Sequence, residues 1–172
     1  MTSIRSEQGG DSGAIAALIT AAFANAEHSS GTEAAIVDGL RAAGALTLSL
    51  VAEDEAGAII GHIAFSPVVI VAADGGTAPA WYGLGPVSVT PAHQGKGIGA
   101  ALIREGLAQL EALGAAGCVL LGDPAYYGRF GFVADAGPTY PGPPPEYFQA
   151  LAFGGHKMVQ GVVHYHHAFE AS

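Results

Sequence analysis

The chain has 172 residues, 50% hydrophobic and 12% charged, which suits a single domain able to bury a core. Six Lys+Arg against fifteen Asp+Glu leave a formal net charge of -9, which disfavours a nucleic-acid backbone or an anionic membrane and tilts the choice of substrate toward a cation. Cys118 stands alone, so no intrachain disulfide forms, and with no signal-peptide apolar core after Met1 and no uninterrupted bilayer-length apolar run, a soluble cytoplasmic protein is expected.

In chain order, a short strand is predicted around Ile4. From Asp11, a plausible N-cap, Ile15, Leu18, Ile19, Ala22 and Phe23 recur at helical spacing. A second helix opens at Gly31 or Thr32, aligns Ile36, Val37 and Leu40, and ends near Ala43-Gly44, where glycine suits a C-cap. Leu46 to Glu53 and Ile59 to Val71 read as an antiparallel hairpin across the Asp54-Glu55-Ala56-Gly57 turn, and Asp74-Gly75-Gly76 forms the next turn. Trp81 to Val89 reads as a strand, but Gly83, Gly85 and Pro86 place it at an edge or a bulge, and a bulge is preferred. Ile98, Leu102, Ile103, Leu110 and Leu113 mark a helix that stops at Gly114, before a fully apolar central strand at Cys118-Val119-Leu120-Leu121. Strand, crossover helix and strand imply a parallel pair. A short helix over Tyr126 to Phe130, a proline-rich loop over Pro138 to Pro145 and a last strand over Gly161 to Tyr165 complete the chain, with no repeat or linker.

Between the strand ending at Val89 and the helix after it lies Gln94-Gly95-Lys96-Gly97-Ile98-Gly99-Ala100, with glycine at every second position. Glycines let a backbone approach a phosphate, and the free N–H groups of a new helix hold negative charge. A Walker loop fails, because Lys96 is followed by Gly97. A dinucleotide fingerprint fits loosely through Gly95, Gly97 and Ala100, with Asp123 ending the next strand. Against it, Thr90 to Gln94 separate the glycines from their strand, and no βαβ series follows Asp123.

Val87-Ser88-Val89 followed by Gln94 to Gly99 resembles the acetyl-coenzyme A motif of the GNAT superfamily of N-acetyltransferases, Gln/Arg-x-x-Gly-x-Gly/Ala, with Gln94, Gly97 and Gly99 in its places. Tyr126-Tyr127-Gly128-Arg129-Phe130-Gly131-Phe132 is similar to that family's Tyr-x-Lys/Arg-x-Gly-Phe segment. Together with Gly61 to Pro67, Leu84-Gly85-Pro86 and Gly122-Asp123-Pro124, the likeness is greatest to the YhbS-type branch and loosens after about Asp135. The resemblance implies an α/β (α+β) GNAT fold: a mixed, mostly antiparallel twisted sheet, a splayed parallel pair of fourth and fifth strands, and helices on both faces. It implies one domain over 1–172, with a core of about 2–150.

The resemblance further implies that acetyl-CoA is the cosubstrate. Backbone groups of Val87 and Val89, flanking Ser88, would pair with the pantetheine amide and face the thioester carbonyl, and the amides from Gly95 through Lys96, Gly97, Ile98 and Gly99 to Ala100 would hold the pyrophosphate. Tyr126 would line the cofactor, and Tyr127 would protonate the departing thiolate, with aromatic packing as its plainer role. The acceptor would be a primary amine, on a small molecule or a peptide, approaching over the first two helices, the segment from His28 to Thr32 and the proline-rich region. A homodimer is compatible with the family.

For the base that frees the amine, the candidates are Asp123, Glu53 and His62. Their plainer roles are a cap on the helix at Pro124-Ala125, a solvated strand end and a hydrogen-bonded strand histidine. His164, His166 and His167 lack a carboxylate or cysteine at ligand spacing, so no metal is expected. Cys118 and Trp81 read as packing residues. A non-catalytic module keeping the coenzyme A cradle, and a nucleotide-dependent oxidoreductase, remain alternative functions.

Overall fold

The computed structural model describes residues 2–24 and 31–170. Its elements are β1 (Ser3–Ser6), α1 (Ser12–Phe23), α2 (Glu33–Ala42), β2 (Leu48–Glu53), β3 (Ile59–Val71), β4 (Thr77–Ala78), β5 (Trp81–Val89), α3 (Ile98–Ala112), β6 (Gly117–Leu121), α4 (Pro124–Tyr127), β7 (Val133–Ala134), β8 (Pro138–Thr139), β9 (Phe148–Ala152) and β10 (Gly161–Tyr165). The chain gathers into two compact units, one of Met1–Ser66, Gly85–Gly106 and His167–Ser172, the other of Pro67–Leu84 and Leu107–His166. β3, β5 and α3 each contribute residues to both.

In the first unit β1 pairs antiparallel with β2, from Ser3 opposite Glu53 to Ser6 opposite Leu50, and β2 pairs antiparallel with β3. Alternation along these strands sends Val51 and Ala64 to one face, where they pack with Ile15 and Ile19 of α1 and Val37 of α2. Each of the Ile and Val side chains, fully buried, contributes on the order of 1.5–3 kcal/mol. On β3, Gly61 turns to Ile98 and Leu102 of α3, and an added Cβ would lie 3.0 Å from each, so this helix approaches closely only because residue 61 has no side chain. Helices therefore cover both faces. α2 stops as its sequence predicts: Gly44 takes φ 69, and Gly44 and Ala45 return N–H bonds to the Arg41 and Leu40 carbonyls. Asp11 differs from expectation. It sits in helical geometry without capping α1, because its carboxylate is held by Arg5 at 2.8 Å and by the Gln8 N–H at 2.7 Å.

In the second unit β5 and β6 form the expected parallel ladder, from Trp81 opposite Gly117 to Gly83 opposite Val119. The pair is fifth and sixth rather than fourth and fifth because the two-residue β4 pairs with β3 ahead of it. β6 is central, as its apolar run predicts, but its second neighbour is β9, a strand absent from the sequence reading. Phe148-Gln149-Ala150-Leu151-Ala152 has weak intrinsic strand character and follows a proline-rich loop; complete pairing with β6 makes it a strand. β7 adds to β9, while β10 pairs antiparallel with β3 and parallel with β8. The core of this unit gathers Val68, Ile70, Trp81, Val119, Phe148, Ala150 and Val163. Leu113, expected on the buried face of α3, is 62% exposed, because the helix ends at Ala112 and the chain reverses through Gly114 at φ 90.

Candidate functional site

The glycine loop lies in the first unit. After Val89 the chain makes a 3₁₀ turn over Pro91–His93, in which Thr90 Oγ1 and His93 Nδ1 are 2.8 Å apart. Gln94 then donates its side-chain amide to the Val89 carbonyl at 3.0 Å, tying the loop back to the strand end. Gly95 and Gly97 take φ 79 and 83, the left-handed region in which a side chain is costly, and no atom lies within 4 Å of where either Cβ would stand. α3 starts immediately after. The Ala101 N–H bonds the Gly97 carbonyl at 3.0 Å, so the amides of Ile98, Gly99 and Ala100 belong to the open first turn of a 15-residue helix. Open space over two left-handed glycines, an exposed Lys96 and a positive helix end fit an anionic phosphate group.

Upstream, Val87 and Val89 are half-buried on β5, and Ser88 between them is 3% exposed with a hydroxyl that has no hydrogen-bond partner. Where a bulge is expected, Gly85-Pro86 is a cis peptide with Gly85 at φ 138.

Tyr126 and Tyr127 lie on α4 in the second unit. Asp123 caps that helix, accepting the Ala125 N–H at 2.9 Å, and Pro124 occupies its first turn. One oxygen of this base candidate thus has a structural task. The Tyr127 ring meets Tyr126 edge-on at 5.0 Å and lies against Gly122, where an added Cβ would overlap it. Burial pushes the Tyr127 hydroxyl up to about 12, with Tyr126 adding to the shift, so it stays protonated at neutral pH. The Arg129 guanidinium covers the Tyr126 ring at 4.5 Å and donates to the Tyr126 carbonyl.

The first unit also holds a polar network of which the sequence reading singled out only His62. Arg41 grips Glu7 with two 2.7 Å bonds, Ser49 donates its hydroxyl to Glu7 Oε1 at 2.6 Å, and Ser49 Oγ lies 2.8 Å from His62 Nε2. These residues are 34, 42 and 13 positions apart, and no local spacing links them. Arg41, ahead of Ser49, holds the Glu7 carboxyl below its usual range against burial. Burial drives the imidazole of His62, which is 0% exposed, down to about 4, although Glu7 pulls it up. Glu7, Arg41 and Ser49 line an open cavity of about 300 Å³.

The other candidates resolve simply. Glu53 is not a solvated strand end; it pairs with Arg5 at 3.1 Å, since β1 brings the guanidinium alongside. Cys118 is fully buried, with its thiol pushed up by that burial, and Trp81 is 2% exposed in the second unit's core. Among the described residues, no group of three or more His, Cys, Asp or Glu is placed to hold a metal ion, and no helix is long and apolar enough to cross a membrane. Of the segment His28 to Thr32, residues 28–30 lie outside the described residues.

Residues 46–134 match the acetyltransferase (GNAT) domain family. The uncharacterized N-acetyltransferase YhbS of Escherichia coli K12 is 40% identical over 145 residues, covering 81% of this chain and 84% of that protein. A GNAT family acetyltransferase from Brucella melitensis, solved in complex with acetyl-CoA, superposes with a TM-score of 0.85 at 56% identity over 98% of each chain. The Escherichia coli YhbS structure, in complex with CoA, gives 0.84 at 38% identity, over 98% of this chain and 92% of that one. The matched residues include both β5 and the glycine loop that follows it, and the chain belongs to the GNAT family of acetyltransferases.

Proposed function

We propose that this protein is an acetyl-CoA-dependent N-acetyltransferase that passes the acetyl group directly to a primary amine. One observation carries the reading: two left-handed glycines under open space lead into the free amides of α3, a cradle of a kind that serves a pyrophosphate. The Brucella and Escherichia coli relatives, solved with acetyl-CoA and CoA, support coenzyme A as the owner of that pyrophosphate.

In this reading the amides from Gly95 to Ala100 hold the pyrophosphate, and Lys96 adds positive charge. Val87 and Val89 offer backbone groups to the pantetheine arm and the thioester carbonyl, and Gln94 keeps the strand end in register with the loop. Tyr127, whose hydroxyl remains protonated, serves as general acid to the thiolate, with Tyr126 packed beside it. The whole of 1–172 acts as one transferase domain in the cytoplasm. The net charge of -9 favours a cationic acceptor, which an amine is at neutral pH.

Calorimetric titration with acetyl-CoA, CoA, NAD and NADP is the first test, followed by thiol release with a panel of amines. Tight binding of acetyl-CoA and CoA with amine-dependent thiol release is expected. Binding of NAD with none of coenzyme A would refute the reading, and coenzyme A binding without transfer to any amine would leave a non-catalytic module.

A further inference from the structure

The polar network of the first unit has a defined direction. Ser49 has a single hydroxyl proton, and the 2.6 Å contact commits it to the Glu7 carboxylate. Ser49 Oγ must therefore accept from His62, so Nε2 carries the ring proton and Nδ1 is a bare lone pair. That Nδ1 is buried and has no hydrogen-bond partner. The Thr90 N–H donates to the Ile60 carbonyl at 2.9 Å, and Gly83 lies beside Val68, so β5 runs antiparallel to β3. Two residues inward from Thr90 and Ile60, Ser88 comes opposite His62, and its buried hydroxyl also lacks a partner. Two orphaned buried polar groups thus lie on neighbouring strands without bonding each other, and both can accept from an N–H donor.

We infer that His62 Nδ1 is the base that takes the proton of the acceptor amine, directly or through one water, with Ser49 and Glu7 as positioning residues that hold its tautomer. This rests on the acetyltransferase reading, in which the thioester lies along Val87 to Val89, the residues flanking Ser88. Nδ1 takes one proton of the bound ammonium to free its lone pair; as the nitrogen then bonds to the acyl carbon, the C–S electron pair leaves with the sulfur, and the nitrogen's surplus proton goes to the departing thiolate. The imidazolium is balanced by Glu7 across Ser49, and it returns its proton to water when product leaves. Arg41, gripping Glu7 from α2, keeps that carboxylate ionised. Glu7 and Arg41 are the charged groups bearing on the ring, with opposite effects.

The test pairs kinetics with a ring measurement on the full chain. Nitrogen-15 NMR of histidine-labelled wild type should show a neutral His62 ring with Nε2 protonated and Nδ1 bare at pH 7, and an Nδ1–H tautomer would overturn the assignment. With L-lysine, spermidine, kanamycin and an alanyl peptide as acceptor probes, His62→Gln should lower kcat about 100-fold or more at pH 7. Its kcat should then climb about tenfold per pH unit as the amine deprotonates itself, while wild type stays flat from about pH 7 to 9. Ser49→Ala, which releases the tautomer, should fall between them, and both variants should keep the wild-type thermal shift with acetyl-CoA. An unchanged kcat and pH profile in His62→Gln would overturn the base while leaving the transferase reading intact. Wild type that binds acetyl-CoA but acetylates none of the probes would sink both.

Discussion

Gly97→Ala separates the cradle's backbone geometry from its ligand. Residue 97 has φ 83, where an L-residue costs about 1–2 kcal/mol, and no protein atom lies within 4 Å of the new methyl to add a clash. The ligand-free protein should therefore melt lower by about 2–8 °C, at about 2–4 °C per kcal/mol for a chain of this size. The methyl, however, stands in the open space assigned to the pyrophosphate. Losing one charge-assisted amide contact, about 1.5–3 kcal/mol, weakens binding roughly 10- to 150-fold. With acetyl-CoA at about 100 times the wild-type Kd, wild type gains about 2.7 kcal/mol of stability. A variant weakened about 30-fold gains less than about 1 kcal/mol. Gly75→Ala is the control, since it has φ 88, equally open surroundings and a place in the β3–β4 turn. It should lose the same intrinsic stability and keep the full ligand shift. Thermal melts with and without acetyl-CoA, backed by calorimetric titration, read both quantities. If Gly97→Ala melts lower but retains the wild-type ligand shift, the glycine loop does not hold the pyrophosphate.

Gly122→Ala puts a Cβ into the Tyr127 ring, so it should cost about 1–3 kcal/mol in urea unfolding and depress kcat by displacing the proposed acid; unchanged stability would show that the ring moves freely. Asp123→Ala removes the α4 cap and should cost about 1 kcal/mol, with Asp123→Asn largely restoring it; a collapse of turnover in Asp123→Asn at unchanged stability would return the base role to Asp123. The folded His62 titrates near 4 against 6.5 in the unfolded chain, so the unfolded state binds the extra proton between those values. The stability from a neutral His62 is thus complete above about pH 6.5 and falls by about 3 kcal/mol as pH drops to about 4. The depressed Glu7 carboxyl adds a loss in the same direction at lower pH. Denaturant melts across this range should show the slope in wild type and a flatter curve in His62→Gln; equal slopes would mean that His62 is not held neutral by burial.

Local chemistry made much of this protein legible in its residues. The apolar spacing of Ile15, Leu18 and Ile19, the glycine stop at Gly44, the bounds of β3, β5 and β10, and the alternate glycines before Ile98 are short-range signals, each complete within a few positions. The cradle is one of them, because left-handed glycines followed by a helix start are encoded in consecutive residues. Tertiary structure decided what depends on partners. Phe148–Ala152 is a strand because β6 offers it a complete ladder, and Glu53 is paired because β1 brings Arg5 beside it. The Glu7-Arg41-Ser49-His62 network exists only once β1, α2, β2 and β3 have assembled. Burial then sets the state of His62, since the desolvation that keeps its ring neutral is a property of the folded interior. The donor-binding loop could be read from adjacent residues, whereas the groups proposed to act on the acceptor are distant in sequence and meet only through folding.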